Sequence, residues 1–197
     1  MTGNGGLRIG IFVFDGAEEL DVVGPFEVFA EWGSHSQELR PSVSTFSWDG
    51  SGVRLAKGLR ILPAHGADDV GPLHVLIYPG GLGTRPLIAQ AGHLDWLRQI
   101  RKQTPVMASV CTGALSFAAA GLLAGRPATT HRDYYDELAE LDPSILVDTE
   151  ARFVDDGDVV TSAGVAAGID MALHLVERLE SADIAWAVRR EIQYQAD

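Results

Sequence analysis

Three short runs of apolar residues, each followed at once by a turn and a helix-type pattern, constrain the fold of this chain most strongly. They cover residues 7–14, 74–78 and 106–110. Apolar runs of this length, without alternating polar residues, are typical of strands buried on both faces of a parallel sheet. Because strand and helix patterns alternate along the chain, the sequence predicts an α/β domain with a mostly parallel sheet that is covered on both sides.

The third run leads directly into the only cysteine, Cys111, which stands between the small residues Ser109 and Gly113. Small neighbours allow a sharp strand-to-helix turn that holds the central residue at its tip. The first amides of the following helix favour an anion, and hence a thiolate, at this point. A free cysteine is also commonly a buried apolar residue. This stretch alone leaves both interpretations open.

Helical periodicity predicts helices on the faces of this sheet. Pro25 suits the first turn of a short helix that ends near Gly33. Thr130 is placed to cap a helix that runs through Leu141. An apolar stripe that begins at Val165 marks the first of two closing helices. Further helices are predicted over residues 93–103, from the cysteine turn to residue 120, and from Ser181 onward.

Shorter extended segments complete the predicted secondary structure. A strand is expected over residues 42–48, and a hairpin over 53–62. Asp156-Gly157 is a strong signal for a second hairpin. The acidic residues around it, Asp155, Asp156 and Asp158, are predicted to form a solvated turn. Brief strands are expected at residues 128–130, 145–149 and 152–154.

Polar or glycine-rich loops follow each of the three apolar runs. Asp21 comes after the first run, Gly80 and Gly81 follow the second, and Cys111 ends the third. In an open parallel sheet the carboxyl ends of the strands share one edge, where ligands bind. The two glycines can present free amides there or simply form a connecting loop. The convergence of the three loops predicts a functional site, and the glycine spacing does not match a nucleotide-binding motif.

The composition narrows the class of partner. A formal net charge of −12 and a pI near 4.8 disfavour a nucleic-acid or anionic-membrane surface and fit small neutral or cationic ligands. One cysteine permits neither an internal disulfide nor a multi-cysteine metal site, and it suits a reducing compartment. With no signal-peptide pattern and no membrane-length apolar run, the sequence predicts a cytoplasmic protein. Residues 1–197 are expected to form a single domain with a disordered tail over 1–6.

Several motifs resemble those of the DJ-1/PfpI superfamily. The segments are FDGAEELD (residues 14–21), PGG (79–81) and ASVCTG (108–113). The resemblance implies a flavodoxin-like three-layer sandwich with a cysteine at a nucleophile elbow. Four further segments are most similar to the branch that holds isonitrile hydratases and the amidotransferase-like domains of some AraC-type regulators. They are LDVVGP (20–25), VCTG (110–113), ATTH (128–131) and TSAGVAAGID (161–170).

The resemblance also implies roles for individual residues. Cys111 matches the nucleophile and Asp21 the acidic residue beside it, a place that glutamate takes in other branches. Thr112 stands where PfpI-type peptidases have a histidine, which disfavours a Cys-His peptidase. The catalytic residues are therefore expected to be Cys111, Asp21 and Thr112, and the substrate-binding or oxyanion residues Gly80, Gly81 and Leu82. His131 is a further candidate for the pocket wall, although its place in the sequence favours a helix-start or core hydrogen-bonding role. The family further implies a homodimer, and no metal or cofactor is expected.

The predicted activity is the addition of water to an isonitrile, through a thioimidate on Cys111 with Asp21 as acid and base. Because a carboxyl next to a thiolate tends to keep its proton, the pair is expected to share one proton near neutral pH. The alternatives are a glyoxalase, a deglycase or another cysteine hydrolase, or a ligand- or redox-sensing domain. Arg132 stands where isonitrile hydratases tend to carry tryptophan. Glu18 and Glu19, which also precede Asp21, are expected to be exposed to solvent.

Overall fold

The computed structural model describes residues 6–195, so most of the predicted tail over 1–6 lies outside the described residues. A seven-stranded sheet forms the centre of the molecule. The strands are β1 Arg8–Phe12, β2 Ser42–Ser47, β3 Val53–Arg54, β4 Arg60–Ile61, β5 His65–Gly66, β6 Val75–Tyr78, β7 Val106–Val110, β8 Pro127–Ala128, β9 Leu146–Val147, β10 Phe153–Asp155 and β11 Val159–Ser162.

The order of strands in the central sheet is β10-β11-β7-β6-β1-β2-β5. All of its neighbouring strands pair in parallel except β10 and β11, which form an antiparallel hairpin at one edge. The strands β1, β6 and β7 lie side by side in the middle, and their carboxyl ends lead into the three loops singled out in the sequence. The predicted mostly parallel α/β sheet is therefore confirmed.

Helices cover both faces of the sheet and complete a three-layer sandwich. The helices α1, α6 and α7 pack on one another in one layer, and α2, α3, α4 and α5 form the other. The bounds are α1 Glu19–His35, α2 Thr84–Ile88, α3 Ala91–Arg101, α4 Gly113–Ala119, α5 Tyr135–Leu141, α6 Ala167–Leu179 and α7 Ala182–Glu191. No helix within residues 6–195 has both the length and the apolar character that a membrane span requires.

The first helix differs from its prediction. It begins at Glu19, so Asp21 lies in its first turn and Pro25 lies inside it. A proline inside a helix removes one backbone hydrogen bond and crowds the preceding turn. Next to the proline, α1 packs closely against α6, because a Cβ on Gly24 would come within 2.9 Å of the Ile169 side chain. The prediction of a helix at Pro25 is therefore correct, but the helix begins earlier than predicted, at Glu19.

Two further predictions at helix starts are wrong. Val165 precedes α6 in a left-handed conformation with φ of 51°, so it does not belong to the helical stripe. His131, and not Thr130, caps the 3-10 turn Arg132–Tyr134 that precedes α5, because its Nδ1 accepts the Asp133 N–H at 3.3 Å. Thr130 instead directs its hydroxyl to the carbonyl oxygen of Cys111 at 2.8 Å. Thr130 therefore supports the cysteine loop and does not cap a helix.

The acidic hairpin is not the solvated turn that the sequence predicts. Asp155 pairs with Arg178 and His174, each at 2.6 Å. Asp158 pairs with Arg126 at 2.5 Å and also with Arg101, while Asp156 pairs with Arg126 at 3.1 Å. The cluster therefore joins the edge hairpin to the neighbouring helices. The cationic partners lie far away in sequence, which is why local composition did not reveal them.

Candidate active site

Cys111 occupies a sharp turn between β7 and α4. Its φ of 56° is a left-handed conformation that costs a residue with a Cβ about 1–2 kcal/mol. Hydrogen bonds hold it in place: its N–H donates to the carbonyl oxygens of Ser162 and Ala163 at 3.1 and 3.2 Å, and its own carbonyl accepts from Thr130. The predicted nucleophile elbow is thus present, and the strand β11 helps to fix it.

The glycine loop after β6 packs directly against this elbow. A Cβ on Gly80 would lie 2.5 Å from the Thr112 nitrogen, and a Cβ on Gly81 would lie 2.4 Å from the Gly16 carbonyl oxygen. Gly81 also has a φ of 112°, which disfavours other residues. Because both residues lack side chains, Gly80 can approach the cysteine turn and Gly81 can approach the loop after β1.

The amides of these glycines are not free, although the sequence suggested that they could be. The Gly80 N–H donates to Asp21 Oδ2 at 2.9 Å, and the Gly81 N–H donates to Thr112 Oγ1 at 2.8 Å. Among residues 6–195, the N–H of Leu82 makes no hydrogen bond. Leu82 therefore carries the amide of this loop that remains available to an anion.

Asp21 lies in the first turn of α1 with no exposed surface. Besides the Gly80 bond to Oδ2, its Oδ1 has no hydrogen-bond partner of normal geometry in the described part of the chain. Burial raises the pKa of Asp21 to about 7, and the charge of Glu18 adds to this rise, while the Gly80 N–H, the Cys111 thiol and Lys57 oppose it. This carboxyl therefore titrates near neutral pH.

The Cys111 thiol is 6% exposed and faces the same carboxyl. Burial and the negative charge of Asp21 raise its pKa to about 12, against the opposing effect of the backbone amides of Thr112 and Val165. The expectation that the helix start favours the thiolate is therefore wrong for the resting site, because burial and the carboxylate outweigh the amides. At neutral pH the Asp21–Cys111 pair keeps at least one proton.

A cavity of about 310 Å³ opens above the cysteine. Asp21 is fully buried and is not one of the residues that line this cavity. Leu82 stands at its edge with 71% of its surface exposed. Arg132 does not line the cavity, and its side chain is 84% exposed. The arginine that replaces the tryptophan expected from isonitrile hydratases therefore lies outside the pocket. The lining residues are Glu18, Ala56, Lys57, Gly81, Leu82, Arg85, Cys111, Thr112, His131, Asp133, Tyr134 and Val165.

Glu18 and Glu19 are partly buried, contrary to the prediction that they are solvated. Glu18 pairs with the Lys57 ammonium, and Glu19 Oε1 accepts the Lys57 N–H at 2.6 Å. The Glu18 N–H donates to the Gly80 carbonyl at 2.9 Å. The Lys57 contacts hold the turn of the β3–β4 hairpin against the segment that contains Glu18 and Glu19, and Lys57 and Glu18 both line the cavity.

His131 also lines the cavity, next to Tyr134 at a distance of 5.6 Å between ring centroids. Its Nδ1 accepts the Asp133 N–H at 3.3 Å, an arrangement that in a neutral ring places the proton on Nε2 and makes that nitrogen a hydrogen-bond donor. Arg85 packs over the Tyr134 ring at 4.7 Å and pairs with Glu137 at 2.6 Å.

Sequence reasoning missed half of the residues that line this cavity, among them Val165, Lys57 and Arg85. Val165 was hidden because it continues the apolar spacing of α6, whereas its amide acts on the Cys111 sulfur. Lys57 lies in the turn of the β3–β4 hairpin and Arg85 in the short helix α2, and neither segment carries a motif. Only the tertiary structure brings them to the cavity.

Comparisons with known proteins agree with this arrangement. A model of the DJ-1/PfpI family matches residues 7–178. Isonitrile hydratase of Pseudomonas putida is 36% identical over 189 residues, which are 95% of this chain and 78% of that protein. A helix-turn-helix transcriptional regulator of Pseudomonas aeruginosa, GbdR, is 30% identical over 77% of this chain, and the match covers only 41% of the regulator.

A solved structure of a ThiJ/PfpI family protein from Pseudomonas syringae superposes with a TM-score of 0.87. It is 31% identical and covers 98% of this chain and 77% of its own. The similarity therefore extends over the whole sandwich and includes the strand that ends at Cys111. The sequence relatives include both an enzyme and a transcriptional regulator. They therefore identify the family of this chain but not its activity.

Proposed function

The chain belongs to the DJ-1/PfpI family, and from this premise we propose that it adds water to an isonitrile and releases an N-substituted formamide. The observation that carries the proposal is the buried carboxyl of Asp21, which faces the Cys111 thiol and titrates near neutral pH. The similarity to isonitrile hydratase over 95% of the chain supports the same reaction. Thr112, in place of a histidine, leaves Asp21 as the group that exchanges protons with the thiol.

The first step forms a thioimidate. Asp21 takes the thiol proton as the Cys111 sulfur attacks the terminal carbon of the isonitrile, and it then delivers this proton to the same carbon. One C–S bond and one C–H bond form, and no group leaves. Because the pair shares a single proton, neither a second acid nor a net change in charge is required.

In the second step water attacks the thioimidate carbon. Asp21 takes a proton from the water and passes it to the substrate nitrogen, which gives a tetrahedral intermediate with a hydroxyl group on the carbon. The C–S bond then breaks as this hydroxyl becomes the carbonyl, its proton passes through Asp21 to the sulfur, and the N-substituted formamide leaves. The sum is the addition of one water molecule without oxidation or reduction.

The remaining wall residues have positions suited to binding. The Leu82 amide can donate to negative charge that develops on the substrate, and the Nε2–H of His131 can donate from the other side. Thr112 fixes the loop by its hydrogen bonds with Gly81 and places its hydroxyl beside the sulfur. We assign these residues to orientation of substrate and water.

The test is the production of N-benzylformamide from benzyl isonitrile by the wild type, Cys111→Ala and Asp21→Asn. We expect turnover by the wild type and a loss of at least about 100-fold in each variant, as is typical of general acid–base residues. Arg132→Ala, whose side chain lies outside the cavity, is the control and keeps wild-type activity. Turnover that persists in both site variants would contradict the mechanism.

Two other outcomes would assign a different function. If the wild type does not convert isonitriles but consumes methylglyoxal, the protein is a glyoxalase or a deglycase. A protein that turns over neither compound, but whose melting temperature rises with a small metabolite, acts as a sensor. The second outcome would agree with the partial similarity to a transcriptional regulator.

A further inference from the structure

An ion pair between Glu18 and Lys57 stands in the wall of the cavity above Cys111. The Glu18 side chain is 19% exposed, and the Lys57 ammonium also lies 3.9 Å from Glu19 Oε2. The reaction steps proposed above give this pair no role. Two opposite charges at the wall of a candidate active site act on any ionisable group beside them.

Lys57 reaches this position because its backbone is held. It lies in the turn of the β3–β4 hairpin, where its N–H donates to Glu19 Oε1 at 2.6 Å. The neighbouring Ala56 N–H donates to the Ala17 carbonyl oxygen at 2.8 Å. The hairpin turn is therefore bound to the segment that leads into α1, and the ammonium stays next to the start of that helix.

Glu18 lies next to Asp21 on α1. Glu18 is the N-cap residue of the helix, and Asp21 follows it by three residues in the first turn. Side chains at this spacing are neighbours on a helix surface. Gly80 also holds both residues: its carbonyl oxygen accepts the Glu18 N–H and its N–H donates to Asp21 Oδ2, each at 2.9 Å. The ion pair is thus fixed beside the buried carboxyl.

The two members of the pair act on Asp21 in opposite directions. Burial is the main cause of the raised pKa of Asp21, the charge of Glu18 adds to the rise, and Lys57 opposes it. From α6, which packs on α1, the buried Asp170 is already paired with Arg152. The other groups that act on Asp21 are the Gly80 N–H and the Cys111 thiol.

We propose, on the basis of the proposed hydration, that Glu18 and Lys57 are positioning residues that keep Asp21 able both to accept and to return a proton. The positive charge of Lys57 favours the carboxylate that takes the thiol proton. The negative charge of Glu18 favours the protonated form that delivers this proton to the substrate carbon. A general acid–base group works best when neither of its forms dominates. Both residues act through Asp21 and need no contact with the reacting atoms.

NMR titration of the side-chain carboxyl carbons, in whole protein with isotopically labelled aspartate, tests the proposal. The signal of Asp21 is the one that Asp21→Asn removes. Glu18→Gln should lower its titration midpoint and Lys57→Met should raise it, each by about 0.5 pH unit at low salt. Both shifts should shrink at high salt, because salt screens charges that solvent reaches. This measurement requires no turnover, so it does not depend on the isonitrile reaction.

Two control variants separate charge from structure. Lys57→Arg keeps the charge and should keep the wild-type midpoint. Lys102→Met removes the same charge from the exposed end of α3 and should also leave the midpoint unchanged. Equal midpoints in the wild type, Glu18→Gln and Lys57→Met would overturn the proposal. Shifts of both variants in the same direction would also overturn it, since a loosened structure has no reason to produce opposite signs.

The pH profile of kcat/KM for benzyl isonitrile connects the pair to the reaction. Its acid side should move down in pH in Glu18→Gln and up in Lys57→Met, together with the midpoint of Asp21. Midpoints that move while the profile stays in place would contradict a role of the pair in the reaction. A wild type that does not convert isonitriles would remove the proposed function, and the NMR midpoints would still decide whether the pair controls Asp21.

Discussion

At the scale of single residues, the environment of Asp21 and Cys111 determines the chemistry of the site. Both groups are buried, and burial raises the pKa of each. The negative charge of Asp21 raises the pKa of Cys111 further, whereas the hydrogen bond from the thiol favours the ionised form of Asp21. The pair consequently holds one proton over a wide pH range above the pKa of the carboxyl. That proton can pass to the substrate and back, which suits the addition of water.

The pH dependence of turnover should reflect this carboxyl. Below about pH 7 Asp21 is protonated, and the Cys111 thiol then lacks a base. We expect kcat/KM for benzyl isonitrile to fall about tenfold per pH unit on the acid side and to be level above pH 7. A profile that decreases as the pH rises through 7 would contradict the assignment of Asp21 as the base.

The same carboxyl should lower stability at neutral pH. A pKa raised from 3.8 to about 7 means that the folded state binds this proton more tightly, so its contribution is greatest below pH 3.8 and is lost as the pH rises towards 7. Asp21→Asn should therefore stabilise the protein by about 2–4 kcal/mol at pH 8. Urea unfolding of both proteins at pH 8 and pH 5 measures this, and the difference should shrink at pH 5.

At the scale of elements, the loops after β1, β6 and β7 approach one another through glycines. The sequence predicted these strands and loops because apolar runs and glycine turns are local signals. It did not predict that α1 continues through Pro25, next to the contact between Gly24 and Ile169 of α6. Nor did it predict that Val165 leaves the α6 pattern, where its amide acts on the Cys111 sulfur. The motif residues of the site were therefore identifiable from sequence, whereas Lys57 and Arg85 required the tertiary structure.

A matched pair of glycine substitutions tests the close approach. Gly113 begins α4, and a Cβ there would lie 2.4 Å from the Tyr78 carbonyl oxygen. Gly92 lies in the first turn of α3 and has nothing within 4 Å. Gly113→Ala should lower the free energy of unfolding by about 1–3 kcal/mol. Gly92→Ala should raise it by up to about 1 kcal/mol. Equal effects in denaturant unfolding would argue against the contact.

At the scale of the whole molecule, ion pairs connect elements that are distant in sequence. Asp158 at the start of β11 contacts Arg101 from the end of α3 and Arg126 from the segment before β8. Burial and the neighbouring Arg126 lower the pKa of Arg101. The carboxylate therefore separates two like charges and ties the antiparallel edge to the helical layer.

Removal of this carboxylate should affect global stability. Asp158→Ala leaves two arginines facing each other, and we expect a loss of about 1–3 kcal/mol that becomes smaller as salt is added. Asp95→Ala breaks an exposed pair with Arg98 within one helix and should change stability by less than about 1 kcal/mol. Melting curves of both variants at low and high salt distinguish a structural cluster from a surface pair.

The homodimer implied by the family is a further prediction at this scale. One chain has a mass of 21.1 kDa, so a dimer has about twice that mass, roughly 42 kDa. Analytical ultracentrifugation at micromolar concentration measures this directly. A single species at the mass of one chain would show that the isolated chain is a monomer.

The sequence contains one cysteine, and the elbow holds it. A thiol-specific reagent therefore labels this protein at the candidate active site or not at all. The number of labels per chain counts the intact sites in a preparation, and the labelling rate reports how often the thiol becomes reactive. A compound that slows labelling occupies or closes the cavity above Cys111, so ligands can be screened before a substrate is known.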